Sequence, residues 1–225
     1  MIWEDECYLL SKRKFKENAN IINIFSQSKG KVSGVVYGGN SRKIRNFLQI
    51  SNKLYIIHTS KSENMLGYFK TELIKPISPL YFNDKKRSTA LISLCYMLNI
   101  LLPESQPNKN IYKSFEDFLR SINLENWIIL FIFFELKLLK DLGYDPNLSK
   151  LNIESSDSEI KKIKIDTYTY DVPDFLIKEK VPQKISNPLI KKSLYFTRNL
   201  IQNKFYLPNN LPFPKTRILL ENYYN

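Results

Sequence analysis

The chain has 225 residues, 43% of them hydrophobic, and 34 Lys and Arg against 22 Asp and Glu give a formal net charge of +12. That apolar content excludes an intrinsically disordered chain, and the length suffices for one large domain or two small ones, two being the expectation. So large an imbalance repels itself unless a polyanion is near, which makes nucleic acid the first expected partner and an acidic membrane surface the second, although the abundance of Lys, Ile, Asn and Tyr also fits an AT-rich coding sequence.

Met1-Ile2-Trp3 runs straight into Glu4-Asp5-Glu6, a pattern unlike a secretory leader, so a cytoplasmic location is expected. Residues 9–17, the apolar runs at 21–25 and 34–37, and the segments 53–59 and 67–73, both rich in β-branched and aromatic residues and separated by a polar turn, read as strands. Five short strands in so little chain predict a small barrel, and the OB-fold is the natural candidate because it has five strands and binds nucleic-acid strands. Residues 1–80 hold thirteen Lys and Arg against six Asp and Glu, so this barrel alone carries a surplus of seven positive charges.

Between the third and fourth strands lies Gly38-Gly39-Asn40-Ser41-Arg42-Lys43-Ile44-Arg45. Paired glycines let the backbone bend, and three cations follow within a few residues, so this segment is expected to be a loop that meets phosphates. Lys12, Arg13, Lys14 and Lys16 on or beside the first strand, with Lys61 and Lys70 near later strands, complete the expected groove with Arg42, Lys43 and Arg45. Tyr37, Tyr55 and Tyr68 are candidates for stacking on bases, set against the blander reading that each is a core or half-buried sheet residue.

Pro76 and Pro79 punctuate the chain and place a domain boundary near residue 78. Beyond it, Leu91, Leu94, Cys95, Leu98, Leu101 and Leu102 recur at helical spacing, with Ser88 or Asp84 as N-cap and Pro103 past the end. Ile111, Phe115, Phe118 and Ile122 predict a second helix, and residues 125–142, apolar almost all round and followed by Gly143, predict a third. Residues 145–184 lose that period and hold an alternating stretch, Ile163-Lys164-Ile165-Asp166-Thr167-Tyr168-Thr169-Tyr170, that reads as a hairpin inserted in a helical domain. Leu189, Ile190, Leu194, Tyr195, Leu200 and Ile201 predict a further helix, and residues 217–224 a short last one. The expected class is therefore α+β, a five-stranded OB-fold barrel at 1–78 followed by a mainly helical domain at 79–225.

Catalytic chemistry finds little footing. His58 is the single histidine and sits inside a predicted strand, Gly30-Lys31-Val32-Ser33 lacks the earlier glycine of a phosphate loop, and Asp166, Asp171 and Asp174 read as turn residues before they read as magnesium ligands. Cys7 and Cys95 are the only cysteines and are expected to be free and packed.

Several of these pieces, in this order, resemble the amino-terminal domain of the bacterial recombination mediator RecO family: Trp3-Glu4-Asp5-Glu6, the Phe15-Lys16-Glu17-Asn18 turn, Phe25 with Gly30, the loop from Gly38 to Arg42, and Leu48-Gln49. Phe134-Glu135-Leu136-Lys137-Leu138-Leu139 running into Leu142-Gly143-Tyr144 continues the match. The family pattern reads Leu-Gln-Pro-Gly where this chain has Leu48-Gln49-Ile50-Ser51, which puts a tight turn there in doubt. The resemblance implies binding of single- and double-stranded DNA in the bacterial nucleoid, annealing of complementary strands without ATP, and loading of RecA onto strands coated by single-strand-binding protein, with RecR and the acidic tail of the coating protein as partners. Arg120 and Arg198 are the candidates for the cation that takes the tail. Many relatives hold the insert with four cysteines on zinc, but this chain has none after Cys95, and Leu151 falls where the first ligand would stand. No metal or other cofactor is therefore expected, with Ile163, Ile165, Tyr168 and Tyr170 packing in its place. The rival reading is an RNA-binding translation or ribosome-assembly factor, and a metal-dependent nuclease ranks last.

Overall fold

A computed structural model describes residues 1–39, 41–62, 65–148, 159–182 and 184–225, and of Lys43 the backbone. Asn40 and Leu151 lie outside the described residues, as does the side chain of Lys43.

One long strand, β1 (Ile2–Lys16), serves two neighbours. Its first half runs antiparallel to β4 (Lys53–Thr59), with Ile2 opposite Thr59, and its second half antiparallel to β2 (Ala19–Ser26), with Lys16 opposite Ala19. The register slips between Leu9 and Ser11, and the extra residue lets Leu9 and Leu10 both be buried where strict alternation would expose one. β2 pairs with β3 (Gly30–Tyr37) and β4 with β5 (Gly67–Lys75), and a short parallel seam between β3 and β5 closes the barrel in the order β1-β2-β3-β5-β4. This is the OB-fold order, as the five predicted strands imply.

The seam depends on glycine. Gly34 lies opposite Gly67, and a Cβ on Gly67 would stand 2.2 Å from His58 Nε2 and 2.6 Å from the Thr59 carbonyl oxygen, while one on Gly34 would meet the Phe69 ring at 2.4 Å. Cys7, Leu9, Ile22, Ile24, Val36, Leu54, Ile56 and Phe69 fill the interior. Each fully buried aliphatic side chain there contributes roughly 1.5–3 kcal/mol.

The expected loop at 42–47 is a helix, α1 (Arg42–Phe47), because Ser41 caps it, its Oγ accepting from the Ile44 amide at 3.4 Å. Ile44 and Phe47 pack on the barrel core with buried Leu48, and this leaves Arg42 and Arg45, three apart, exposed on one face. The tight turn put in doubt by Ile50-Ser51 does form. The Asn52 amide donates to the Gln49 carbonyl at 3.1 Å, and Ser51 adopts φ 72°.

Asp5 fastens the β2–β3 turn: its carboxylate accepts from the Ser26 hydroxyl and, at 2.7 Å, from the Ser28 hydroxyl. After a 3-10 turn (Ser78–Tyr81), α2 (Lys85–Leu101) starts at Asp84, whose side chain accepts from the Arg87 amide at 2.9 Å. α2 lies on β1, and its Asn99 takes hydrogen bonds from Asn23 at 2.6 Å and, through its carbonyl, from Lys31 at 2.8 Å. The first compact unit therefore extends past the Pro76 and Pro79 break to Lys113, inside α3 (Lys109–Ser121).

The second unit, Ser114–Asn225, is built round α4 (Trp127–Asp141) and α6 (Asn187–Ile201). The inserted hairpin is β6 (Ile160–Ile165) and β7 (Tyr168–Pro173), followed by one turn of helix, α5 (Asp174–Ile177); α6 runs on into a π-turn (Gln202–Tyr206) before the last helix, α7 (Lys215–Asn222). Ile163, Ile165, Tyr170 and Val172 are buried as the hairpin's packing requires, but Tyr168 is 49% exposed and does not join them. The one acid in α4's apolar stretch, Glu135, is fully buried and accepts from Arg217 at 2.6 and 2.8 Å and from the Thr197 hydroxyl at 2.5 Å. Arg217 also meets Glu221 at 3.0 Å and the Leu194 carbonyl at 2.8 Å, which satisfies its fork, and the two carboxylates hold its pKa above the usual value against the cost of burial.

Removing one partner of such a pair leaves a buried charge unanswered. Glu135→Ala should lower stability by about 3–5 kcal/mol in urea unfolding, whereas Glu135→Leu with Arg217→Met should cost far less.

Asp5 gives a pH signature. Burial pushes its carboxyl upward, but hydrogen bonds from Ser26, Ser28 and the Glu6 amide outweigh that and hold it below its usual value. A depressed carboxyl contributes stability that is present above the unfolded pKa and lost as pH falls through the folded one. Asp5→Asn should thus lower the urea midpoint at neutral pH, and the gap from the parent should close below about pH 3.

Candidate nucleic-acid interface

The β1–β2 hairpin ends in four exposed residues, Arg13, Lys14, Phe15 and Lys16, and the register slip between Lys14 and Lys16 sets the strand's last turn out of simple alternation. Lys16 lies opposite Ala19, which lies opposite Tyr37, so a cation and an aromatic ring stand at the same level on the two strands that flank β2. Tyr37 is 62% exposed and Tyr68, on β5 beside the seam, is 40% exposed; their ring centroids are 6.4 Å apart. Lys70 follows Tyr68 on the same outward face of β5 and is exposed, as is Lys61 after β4. No carboxylate among the described residues forms an ion pair with Arg13, Lys14, Lys16, Arg42, Arg45, Lys61 or Lys70.

Lys12 has a different place. Its ammonium donates to the carbonyl of Leu48, the C-cap of α1, at 2.8 Å, where a cation meets the negative end of the helix. Burial and then the charge of Arg45 lower its pKa, so the fold brings β1 and α1 cations close together although they are far apart in sequence. Tyr55 also differs from the other two tyrosines, being half-buried and hydrogen-bonded to Glu4. Phe15, with the Lys16 ammonium 5.5 Å from its ring centroid, was not among the expected stacking residues. Its signal was an aromatic ring within a run of cations.

His58, Asp166, Asp174 and both cysteines are held in contacts within the fold. His58 is buried and stacked on Trp3 at 4.8 Å, and burial, then the amino terminus, lowers its pKa. Asp166 is tied to Lys204 and Tyr144, and Asp174 to Lys178 at 2.5 Å. Cys7 and Cys95 are buried in the first unit, and burial pushes both thiols up. Among the described residues no three His, Cys, Asp or Glu side chains cluster as metal ligands. Arg120 is exposed beside Glu116 at 3.0 Å, while Arg198 is bound to Glu221 at 2.7 Å. No helix among the described residues is long and apolar enough to cross a membrane.

A closed OB-fold barrel whose hairpin tip and outer face carry unpaired cations beside exposed rings defines a protein of the oligonucleotide-binding barrel class. Residues 1–77 match the model for the amino-terminal domain of recombination protein O and residues 83–215 the model for its carboxy-terminal domain, so the chain belongs to the RecO family. Proteins called DNA repair protein RecO are similar to it. That of Cereibacter sphaeroides is 29% identical over 160 residues, 71% of this chain and 66% of the relative. That of Ehrlichia chaffeensis is 30% identical over 162 residues, 71% and 66%, and that of a Wolbachia of Drosophila simulans 32% over 152 residues, 67% and 62%. The aligned stretch thus spans just under two thirds of these relatives' length.

Rings and cations leave different signatures. Tyr37→Ala with Tyr68→Ala should weaken binding of oligothymidylate by about 1–3 kcal/mol per base stacked and leave the salt dependence unchanged, as read by fluorescence anisotropy across a salt series.

Proposed function

We propose that this chain is a DNA repair and recombination mediator. It binds single- and double-stranded DNA without sequence preference, anneals complementary strands without ATP and helps load RecA onto strands coated by single-strand-binding protein, in concert with RecR. The carrying observation is the row of exposed cations and rings on the barrel, Arg13, Lys14 and Lys16 with Tyr37 and Tyr68. Cations that neutralise phosphates screen the repulsion between two strands, which promotes annealing with no bond made or broken in the protein's own groups. The reading is of a binder and not an enzyme, since His58 is packed between rings and Asp166 and Asp174 are occupied in ion pairs.

The second unit supports a docking role. An apolar groove of about 790 Å³ is lined by Leu130, Phe133, Leu136 and Leu176; of its two lysines, Lys140 is paired with Asp145 at 2.9 Å and Lys137 is not, and Asp141 and Glu179 line it as well. A peptide with an apolar end, such as the tail of the coating protein, finds its apolar partner there, and Lys137 is the lining cation left to meet one of its acidic residues.

The test is annealing of complementary strands, bare and coated. Arg13→Ala, Lys14→Ala and Lys16→Ala together should lower the log-log salt slope on single strands by about 2, at roughly 0.7 per contact, and slow both reactions. Lys137→Ala with Leu136→Ser should slow the coated reaction alone. Equal loss in both reactions from the second pair would remove the division of labour, and an unchanged slope in the folded first variant would remove the barrel from the interface.

A further inference from the structure

The second unit holds another groove, of different chemistry, between the hairpin and α6. It encloses about 810 Å³, and its lining includes Lys162 from β6, Tyr168 from β7, and Lys191, Lys192, Tyr195 and Asn199 from α6. Tyr168 is 49% and Tyr195 56% exposed, large apolar rings left in water beside three ammonium groups. Lys162 and Lys192 have no charged partner among the described residues, and Lys191 donates to the neutral amide of Asn225 at 2.6 Å. Against these three cations the lining holds one carboxylate, Asp171, which lies opposite Lys162 in the hairpin register.

The rings are held in place. Tyr170, 6.2 Å from Tyr168, packs on Phe196 at 5.6 Å and accepts a hydrogen bond from the Asn203 amide at 3.0 Å. Tyr195 carries the guanidinium of Arg198 at 4.8 Å, and Arg198 is itself fixed by Glu221 at 2.7 Å. Aromatic surface set among ammonium groups suits a ligand that alternates flat rings with anions.

We infer that this groove between β6–β7 and α6 is a second binding site for single-stranded nucleic acid, its lysines meeting phosphates and Tyr168 and Tyr195 stacking on bases. The barrel groups and this groove lie on separate compact units, so one chain holds two strands. Its occupant differs from that of the groove beside α4, which offers leucines, phenylalanine and three carboxylates against two lysines, where this one offers tyrosines, asparagine and one carboxylate against three lysines. The inference goes beyond the proposed barrel interface and does not require it.

The test uses the full chain with oligothymidylate carrying photoreactive 5-iodouracil, and maps the crosslinked peptides by mass spectrometry. Crosslinks at Tyr168 or Tyr195 are expected; crosslinks confined to residues 1–113 overturn the inference. In parallel, Lys162→Ser, Lys191→Ser and Lys192→Ser together should lower the log-log salt slope by about 2 and cut capture of a second labelled strand by a saturated complex about tenfold. An unchanged slope and unchanged capture in a folded variant overturn it as well. If the variant fails to fold by circular dichroism, the crosslinks on the unaltered chain decide. The Arg13, Lys14 and Lys16 variant is run beside it: binding lost in the groove variant but kept in the barrel variant defeats the barrel reading and leaves the groove standing. A photoreactive oligo-aspartate that labels the groove when the oligonucleotide does not makes it a peptide site and rejects the inference.

Discussion

The parallel seam between β3 and β5 is the constraint on which the proposed interface depends. Without it the five strands form an open sheet with two bare edges, and Tyr37 and Tyr68, thirty-one positions apart in the chain, have no reason to meet. Two glycines make the seam possible, since Gly34 and Gly67 face each other where side chains would strike Phe69, His58 and the Thr59 carbonyl. Closure sets the β5 ring beside the β3 ring, and the β1–β2–β3 register sets Lys16 level with Tyr37. The proposed binding surface is thus a product of backbone pairing, with side chains added at positions that the pairing exposes.

Helix α1 adds to the same surface by a related device. Its apolar residues, Ile44 and Phe47, pack on the barrel core, so Arg42 and Arg45 are left pointing to solvent by the helical period alone. Lys12 then answers the helix's terminal carbonyl at Leu48. Lys12, expected as a phosphate partner, is held here against the end of the helix, and its neighbour Arg45 is the more exposed of the two cations. The second unit uses the opposite strategy, with charge in the core: Glu135 and Arg217 are both fully buried, and the pair persists because Thr197, Glu221 and the Leu194 carbonyl satisfy what the pair alone leaves open.

How much of this could be read in the sequence follows from what each feature depends on. The five strands, the helix after Asp84, the apolar central helix ended by Gly143 and the inserted hairpin were legible because each rests on local periodicity and local punctuation. The helix at Arg42–Phe47 was not, because two glycines and three cations outweigh a six-residue apolar period, and only the barrel core rewards Ile44 and Phe47 for helical spacing. The turn at Gln49–Asn52 survived the loss of the family's proline and glycine because the surrounding pairing, including the Ser51 amide on the Leu9 carbonyl at 2.8 Å, enforces a positive φ on a serine. Exposure of Tyr37 and Tyr68 against half-burial of Tyr55 was beyond any local pattern, since all three occur in strands and differ only in what lies across the sheet. The groove beside α6 was invisible for the same reason: Lys162 and Lys192 are thirty positions apart, and it takes the hairpin's packing on α6 to join them.

The central claim is that the barrel's hairpin tip and the rings beside the seam form the nucleic-acid interface. Hydrogen exchange followed by mass spectrometry, on the full chain with and without saturating oligothymidylate, tests it most directly because it needs no substitution. Slowed exchange at residues 12–20, 34–39 and 67–71 is the result predicted. Slowed exchange that leaves all three segments at their free rates while other parts of the chain respond would contradict the account.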